Sequence, residues 1–471
     1  MFQRIPESAA PAAIRAVGTL APVPVKAGPR AAGPEAGAVA SWAAGGPSSR
    51  YTELKMTVHR RLLDMINLSA IDKMAPEDFR REIGEMIREL LVEENRPLNL
   101  SERMQLVNDV LDELLGLGPI EPLLKDATVS DILVNTYRQV FVERGGRLEL
   151  TPVRFKDDRH LLRIIDKIVS GVGRRVDESQ PMVDARLPDG SRVNAVVPPL
   201  AVDGPLLSIR KFSRMPIDMG KLVQLGTLPA AVADILAGIV RARRNVLISG
   251  GTGSGKTTLL NAMSAFIGGR ERIVTIEDAA ELQLQQIHVA RMETRPANVE
   301  GRGEVTQRDL VKNALRMRPD RIVVGEVRAG ESFDMLQAMN TGHEGSMTTI
   351  HANSCRDALS RLEQMLGLTG FDLPIRGMRA QIASAVHVVI QLERMSDGRR
   401  RMMSLSEIMG MEGEVITMHE IFRFTRRRTG RDGSIDGEST ATGIRPRFMR
   451  EFESRGIDVP PDIFQPDRPL T

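Results

Sequence analysis

The sequence predicts a multidomain α/β protein in which a mostly parallel sheet follows an α+β unit and a small helical bundle. Three observations carry this. Between Asn245 and Leu392, short apolar segments alternate with helical patterns, as in strands joined by helical crossovers. Ahead of them, residues 118–216 show apolar and polar alternation punctuated by turn residues, the pattern of paired strands. The length of 471 residues also exceeds one ordinary core and fits two or three domains at roughly 150 residues each.

Composition excludes several classes. No run of about 18 apolar residues could cross a bilayer. The single cysteine, Cys355, excludes an internal disulfide framework and a cysteine-based zinc site, and suits a reducing compartment such as the cytoplasm. With 64 basic and 61 acidic residues, no global field demands a polyanionic partner. Aromatics are only 3%, too few rings for the stacking that single-strand binders use, so no direct nucleic-acid partner is expected and a helicase is disfavoured.

Residues 1–49 are dominated by Ala, Gly and Pro and read as a disordered tail; Pro11, Arg15, Pro22 and Pro24 interrupt any apolar core of a signal peptide. Residues 50–117 read as a three-helix bundle. Its apolar stripes are Val58, Leu62, Met65 and Ile66; Phe79, Ile83, Met86, Ile87 and Leu90; and Leu106, Val110, Leu111 and Leu114. Pro76 suits a first helical position and Ser101 an N-cap. Residues 118–216 form the α+β unit, with strands at Asp131–Asn135, Gln139–Glu143, Arg192–Val197 and Leu206–Arg210, helical material around His160–Val172, and turns at Gly145-Gly146 and Pro188-Asp-Gly190.

Residues 217–471 form the second large domain with a C-terminal extension. Its strands are Val246–Ser249, Ile273–Ile276, Ile322–Val324, Met347–Ile350 and Val386–Ile390. The arginine runs Arg399–Arg401 and Arg426–Arg428 lie in turn-prone sequence and read as solvated hairpin rims.

The segment Gly250, Gly251, Thr252, Gly253, Ser254, Gly255, Lys256, Thr257, Thr258 satisfies G-x-x-x-x-G-K-[ST], follows a strand and opens a helix. In that context the glycines let backbone amides turn inward around phosphates, and the helix N-terminus adds its positive end. Lys256 is then placed to reach the β and γ phosphates, and the Thr257 hydroxyl to bind Mg²⁺. Hydrolysis needs carboxylates as well, to position water and complete the magnesium shell. Two stretches supply them at strand ends: Glu277, Asp278 and Glu281 after Arg272–Ile276, and Glu326 after Arg321–Gly325.

The order of P-loop, Glu277-Asp-x-x-Glu281, Val324-Gly-Glu-Val-Arg328 and Thr341-Gly-His to Ile350-His resembles the secretion ATPases of type II and type IV systems and type IV pili. The chain is most similar to their CpaF/TadA branch, which powers tight-adherence (Flp) pilus assembly. The likeness runs from about Arg60 to Phe464, through Asp131–Asn135, Gly173–Glu178, Asp189–Asn194, Ser208–Phe212, Gly301–Thr306 and Leu315–Asp320. It implies a RecA-like P-loop ATPase domain behind a PAS-like α+β domain, assembled as a homo-hexamer with ATP and Mg²⁺ bound between the two large domains. It implies an acidic box at Glu277–Glu281, an atypical Walker B acid at Glu326 and a histidine box at Thr341–Asn353.

Glu281 is then the residue expected to polarise water and Glu326 to support the magnesium shell, directly or through a water, although the two roles could be exchanged. The family's N-terminal phosphate arginines match Arg192 and Arg210, with Arg186 a weaker candidate and Arg291, Arg295, Arg316 and Arg318 second in rank. Ala329 departs from the second glycine common among relatives, a small-for-small change.

The implied function is a cytoplasmic ATPase, peripheral at the inner face of the cytoplasmic membrane, that drives a membrane-embedded platform in pilus assembly or retraction. A type IV secretion motor for protein or DNA, and a nucleotide-gated adaptor, are the contrasting readings. His343 and His351, eight residues apart, lack the spacing of H-E-x-x-H or a cysteine pair for zinc. His343 is expected before a strand, bracing its loop. His351 is expected at the strand's carboxyl end, donating to a terminal phosphate as a sensor.

Overall fold

The computed structural model describes residues 76–94, 98–114, 116–212, 217–297, 301–370, 373–430, 433–466 and 470, preceded by helical positions at 54, 55, 57, 58, 61, 62 and 65. The tail at residues 1–49, and Ile66 of the first expected helix, lie outside the described residues. Helix α1 (Pro76–Glu93) starts at the proline, whose missing N–H is not needed in a first turn. Helix α2 (Leu100–Leu114) is capped by Asn99 rather than Ser101. Asn99 Oδ1 accepts from Glu102 N at 2.8 Å while Glu102 Oε2 accepts from Asn99 N at 2.9 Å, a reciprocal box that sets the start before Ser101. Leu54, Val58 and Leu62 pack with Ile83, Ile87, Leu106 and Val110, whereas Met65 is exposed and falls off the stripe.

The next unit holds α3 (Glu121–Lys125), β1 (Val129–Thr136), β2 (Gln139–Arg144), β3 (Arg147–Leu150), α4 (Asp158–Ser170), β4 (Met182–Arg186), β5 (Arg192–Val196) and β6 (Leu206–Arg210). Its antiparallel sheet has the order β3-β2-β1-β6-β5-β4. Asp157 caps α4 by accepting from His160 N, and the helix buries Leu161, Ile165 and Ile168 among Ile132, Val140 and Leu207. Gly145 and Gly146, at φ 54° and 85°, close the two-residue turn between β2 and β3.

The last unit runs α5 (Met219–Gln224), α6 (Ala230–Arg241), β7 (Val246–Gly250), α7 (Lys256–Ser264), β8 (Ile273–Glu277), β9 (Val289–Glu293), α8 (Gln307–Ala314), β10 (Arg321–Val327), α9 (Glu331–Asn340), β11 (Met347–Ile350), α10 (Cys355–Gly367), α11 (Ile375–Ala385), β12 (Val388–Arg394), β13 (Arg400–Glu412), β14 (Val415–Thr429), β15 (Ile435–Ala441) and α12 (Met449–Ser454). The sheet order is β15-β14-β13-β12-β7-β11-β10-β8-β9. From β12 to β9 the strands are parallel, and β13 to β15 extend the sheet as antiparallel hairpins. Buried clusters cover both faces, one around Ile248, Leu260 and Phe452, the other around Leu247, Val324 and Leu362. This is the mostly parallel α/β sheet behind an α+β unit that the sequence predicts.

The arginine runs divide. Arg426, Arg427 and Arg428 are exposed, as expected of a rim. Arg401 is buried instead, with its guanidinium 5.0 Å from the Phe424 ring centroid and Nη2 donating to Ile435 O, because β13 is an interior strand.

At the amino ends of the strands, fully buried Arg321 donates to both Glu271 oxygens, at 2.7 and 2.9 Å, and to Val240 O. Arg243 adds a 2.7 Å bond to the same carboxylate. Burial alone would raise the Glu271 carboxyl, but the Arg321 and Arg243 bonds outweigh it and hold the group at about 2. The folded value is depressed, so the stabilisation is present above the ordinary carboxylate range and is lost as pH falls toward 2. Partial solvent contact screens the pair, leaving about 2 kcal/mol at neutral pH. Glu271→Gln is therefore expected to destabilise the protein by about 2 kcal/mol in urea unfolding at pH 7, and by progressively less as pH is lowered.

Candidate functional site

Six parallel strands end along one edge, and that edge gathers the residues singled out above. Strand β7 is buried along its whole length and runs into the loop 251–255 before α7. The loop turns through left-handed glycines at Gly253 (φ 70°) and Gly255 (φ 96°), which a side chain would strain. At Gly250 an added Cβ would stand 2.5 Å from Leu392 O and from Ser254 Oγ, so the backbone can pass only as glycine. Lys256 Nζ donates to Gly250 O at 2.8 Å and Gly251 O at 3.0 Å, and burial lowers its pKa. The Ser254 hydroxyl is buried without a partner at the foot of this concavity. A backbone cradle at the amino end of a nine-residue helix, with a lysine across its mouth, fits an anion of phosphate type.

Strand β8 delivers the first acids. Glu277 is buried, and its Oε2 accepts from Glu281 N at 2.7 Å and Leu282 N at 2.9 Å. Oε1 is buried with no partner, and burial raises the carboxyl above its ordinary value. A Cβ on Gly325 of the adjacent β10 would sit 3.0 Å from Glu277 Cγ, so this glycine makes room for the acid. Glu277 thus shapes the loop that carries Glu281, whose half-buried carboxylate lies 3.1 Å from Arg192 Nη1. Burial also raises Asp278.

Glu326, at the end of β10, accepts from Arg328 Nη2 at 2.6 Å and Nε at 3.1 Å; Arg328 Nη1 is 3.4 Å from Asp278. Arg328 therefore joins the two acidic stretches, a role the sequence reading did not assign. The available signal was its position two residues after Glu326, just past the carboxyl end of that strand.

The two histidines fall at opposite ends of β11. His351 follows Ile350, which is in register with Ser249, so it lies at the carboxyl edge beside the P-loop. His343 precedes the strand, its Nδ1 3.3 Å from Ala338 O and its own carbonyl accepting from Ser346 Oγ at 2.7 Å.

The other sheet supplies cations. Arg210, Arg192 and Arg186 are in register across β6, β5 and β4, forming a row that faces the acidic edge. Arg192 also donates to Ala279 O at 2.9 Å, and Arg186 pairs with Glu293 at 2.9 Å. Arg210 donates to Asp131 Oδ1 at 3.1 Å. Between the sheets lies a cleft of about 200 Å³ lined by Arg192, Arg210, Phe212, Thr257, Thr258 and Glu281. Gly190 and Lys211 also line it, as do Ile217, Asn261 and Gln283, which belong to no motif read from the sequence. Arg291, Arg295, Arg316 and Arg318 do not line it; Arg295 instead donates to Gly303 O at 2.6 Å.

Among the described residues no three His, Cys, Asp or Glu side chains gather as a metal set. Hard oxygen donors at this edge include the Thr257 hydroxyl and the Glu326 carboxylate. Few protein ligands of this type fit Mg²⁺, which keeps water and phosphate oxygens around it.

Residues 113–430 match the family described as type II/IV secretion system protein, and residues 51–115 match the N-terminal domain of type II secretion system protein E. A putative conjugal transfer protein of Mycobacterium tuberculosis is 43% identical over 309 residues, 64% of this chain and 87% of that protein. The type IV secretion system protein PtlH of Bordetella pertussis is 36% identical over 313 residues, 60% of this chain and 91% of its own length. Among solved structures, the VirB11 ATPase of the Brucella suis type IV secretion system is 28% identical at a TM-score of 0.34, covering 61% of this chain and 94% of that one.

The position of Glu277 generates a stability test. Glu277→Ala leaves the Glu281 and Leu282 amides without their acceptor and is expected to cost about 2 to 3 kcal/mol in denaturant unfolding. Glu277→Gln keeps an acceptor and removes a buried charge, and is expected within about 1 kcal/mol of the parent at pH 7.

Proposed function

The chain belongs to the type II/IV secretion system protein family, and on that premise we propose that it is an ATPase converting ATP and water to ADP and phosphate to drive a secretion or pilus machine. One observation carries the proposal. The P-loop threonines and Glu281 share a cleft with Arg192 and Arg210 of the other sheet. Loop amides and Lys256 bind the phosphates, Lys256 exchanging its two carbonyl partners for phosphate oxygens. Thr257 and Glu326 would hold Mg²⁺, the latter directly or through water, and the ion would supply charge neutralisation to the bound phosphates.

Glu281 polarises the attacking water. Its ion pair with Arg192 ties up both groups at once, so moving that arginine onto phosphate also frees the carboxylate. Arg210 adds a second cation from the same strand row. His351, at the P-loop edge of β11, donates to the terminal phosphate and loses that partner after hydrolysis. Because two units must meet to complete the site, turnover is coupled to their relative rotation, which supports a closed homo-hexamer as the working form.

For the work performed, the motif blocks shared with the CpaF/TadA branch support a motor for Flp pilus assembly, acting from the cytoplasm on an inner-membrane platform. No helix among the described residues is long and apolar enough to span a membrane. A type IV secretion motor is the second reading, favoured by the conjugal transfer and PtlH relatives.

Steady-state turnover tests the chemistry. Glu281→Gln is expected to lower kcat at least about 100-fold while nucleotide affinity is retained, and His351→Ala to lower kcat about tenfold or more. A parent protein no faster than Glu281→Gln would be a nucleotide-gated adaptor. Deleting the gene is expected to remove surface Flp pili and leave conjugation frequency unchanged; the reverse pattern favours the secretion motor.

A further inference from the structure

Two more arginines reach the P-loop, from the turn that joins β12 to β13. This turn is well tied: Met395 N donates to Arg399 O at 2.8 Å, Gly398 N to Met395 O at 2.9 Å, and Asp397 Oδ1 accepts from Arg399 N at 2.9 Å. It is anchored to the loop through β12, where Leu392 is in register with Gly250. Arg400 Nε donates to Gly253 O at 2.8 Å, and its Cδ lies 3.3 Å from where a Cβ on Gly255 would stand. The C=O and following N–H of a trans peptide point in opposite directions. Holding the Gly253 carbonyl outward therefore turns Ser254 N–H into the loop, where it meets Gly251 O at 3.3 Å.

Arg394 works on two units at once. Its Nη1 lies 3.3 Å from the Cβ position of Gly253, while Nη2 donates to Gly146 O and stands 3.5 Å from Glu143 Oε1. Gly146 and Glu143 belong to the β2–β3 hairpin of the antiparallel sheet. Gly146 has φ 85°, a left-handed conformation that favours glycine, and a Cβ there would be 3.0 Å from Arg394 Nη2, so a side chain would also push that guanidinium aside. The antiparallel sheet thus meets the parallel-sheet unit at two separated places, its arginine row and this turn. A single contact would act as a pivot; two set an angle.

We infer that the β12–β13 turn is a second coupling point between the units, with Arg394 and Arg400 as positioning residues. Arg400 sets the orientation of the P-loop peptide. Arg394 holds the antiparallel sheet at the angle from which Arg192 and Arg210 face the loop. The inference rests on the ATPase reading above for its kinetic and ADP-binding arms, and the exchange arm is independent of it.

The test uses the full-length protein, a fluorescent ADP analogue, steady-state ATP turnover, amide hydrogen exchange and thermal unfolding. Arg400→Ala is expected to weaken ADP binding about tenfold, with little change in unfolding midpoint or in exchange at residues 143–147. Arg394→Ala is expected to lower kcat about tenfold, keep ADP affinity within about twofold, and speed exchange at residues 143–147. Arg394→Lys, which can still reach Gly146 O and Glu143, is expected to restore most of both readouts. Unchanged kcat and unchanged exchange in Arg394→Ala overturn the inference, as does a loss that Arg394→Lys shares in full and that tracks a fall in unfolding midpoint. Lys256→Ala separates the two claims: ADP binding equal to the parent's sinks the ATPase reading, while the exchange result for Arg394 stands on its own.

Discussion

The site depends on a contact of opposite charge between two sheets, with Arg192 on Glu281 and Arg186 on Glu293. A parallel sheet collects its loops at the carboxyl ends of its strands, which is why the P-loop, both acidic stretches and His351 share one edge. That edge carries many carboxylates, so further cations must come from elsewhere. The antiparallel sheet provides them because β4, β5 and β6 pair in a register that sets three arginines in a row.

The two ends of the parallel sheet differ in how firmly their charges are held. At the amino ends, the Arg321 side chain is 1% exposed and locked onto Glu271 and the carbonyl of Val240. At the carboxyl edge, Arg192 and Glu281 are 36% and 32% exposed, a setting in which an ion pair is worth only about 0 to 1 kcal/mol. Weak, solvent-screened pairs can be exchanged for phosphate at little cost, while the far end keeps the sheet rigid. Such a division suits a domain that must rotate and return.

Much of this was legible in the sequence, for reasons of locality. The P-loop spacing is itself a local geometry, and the apolar runs at 246–249, 273–276, 322–324 and 347–350 lie inside the strands seen here. Strands β3 and β4 were missed because neither buries an apolar face: all four residues of β3 are exposed, and β4 alternates exposed with half-buried positions. The strands β13 to β15 were missed because their turn-rich, arginine-rich sequence reads as rim. The same reading concealed Arg394 and Arg400, whose contacts with Gly146 and Gly253 span 248 and 147 residues. Arg192 and Glu281 could each be named as candidates, but their pairing is a tertiary fact that no spacing encodes.

The central claim is that arginines of the antiparallel sheet complete a P-loop site on the parallel one. Its most direct test is single-turnover ATP hydrolysis by the Arg192→Ala, Arg210→Ala double variant, with ADP affinity measured alongside. The expected result is ADP affinity within about threefold of the parent and a hydrolysis rate at least about 100-fold lower. Hydrolysis at the parent rate by this double variant would contradict the account.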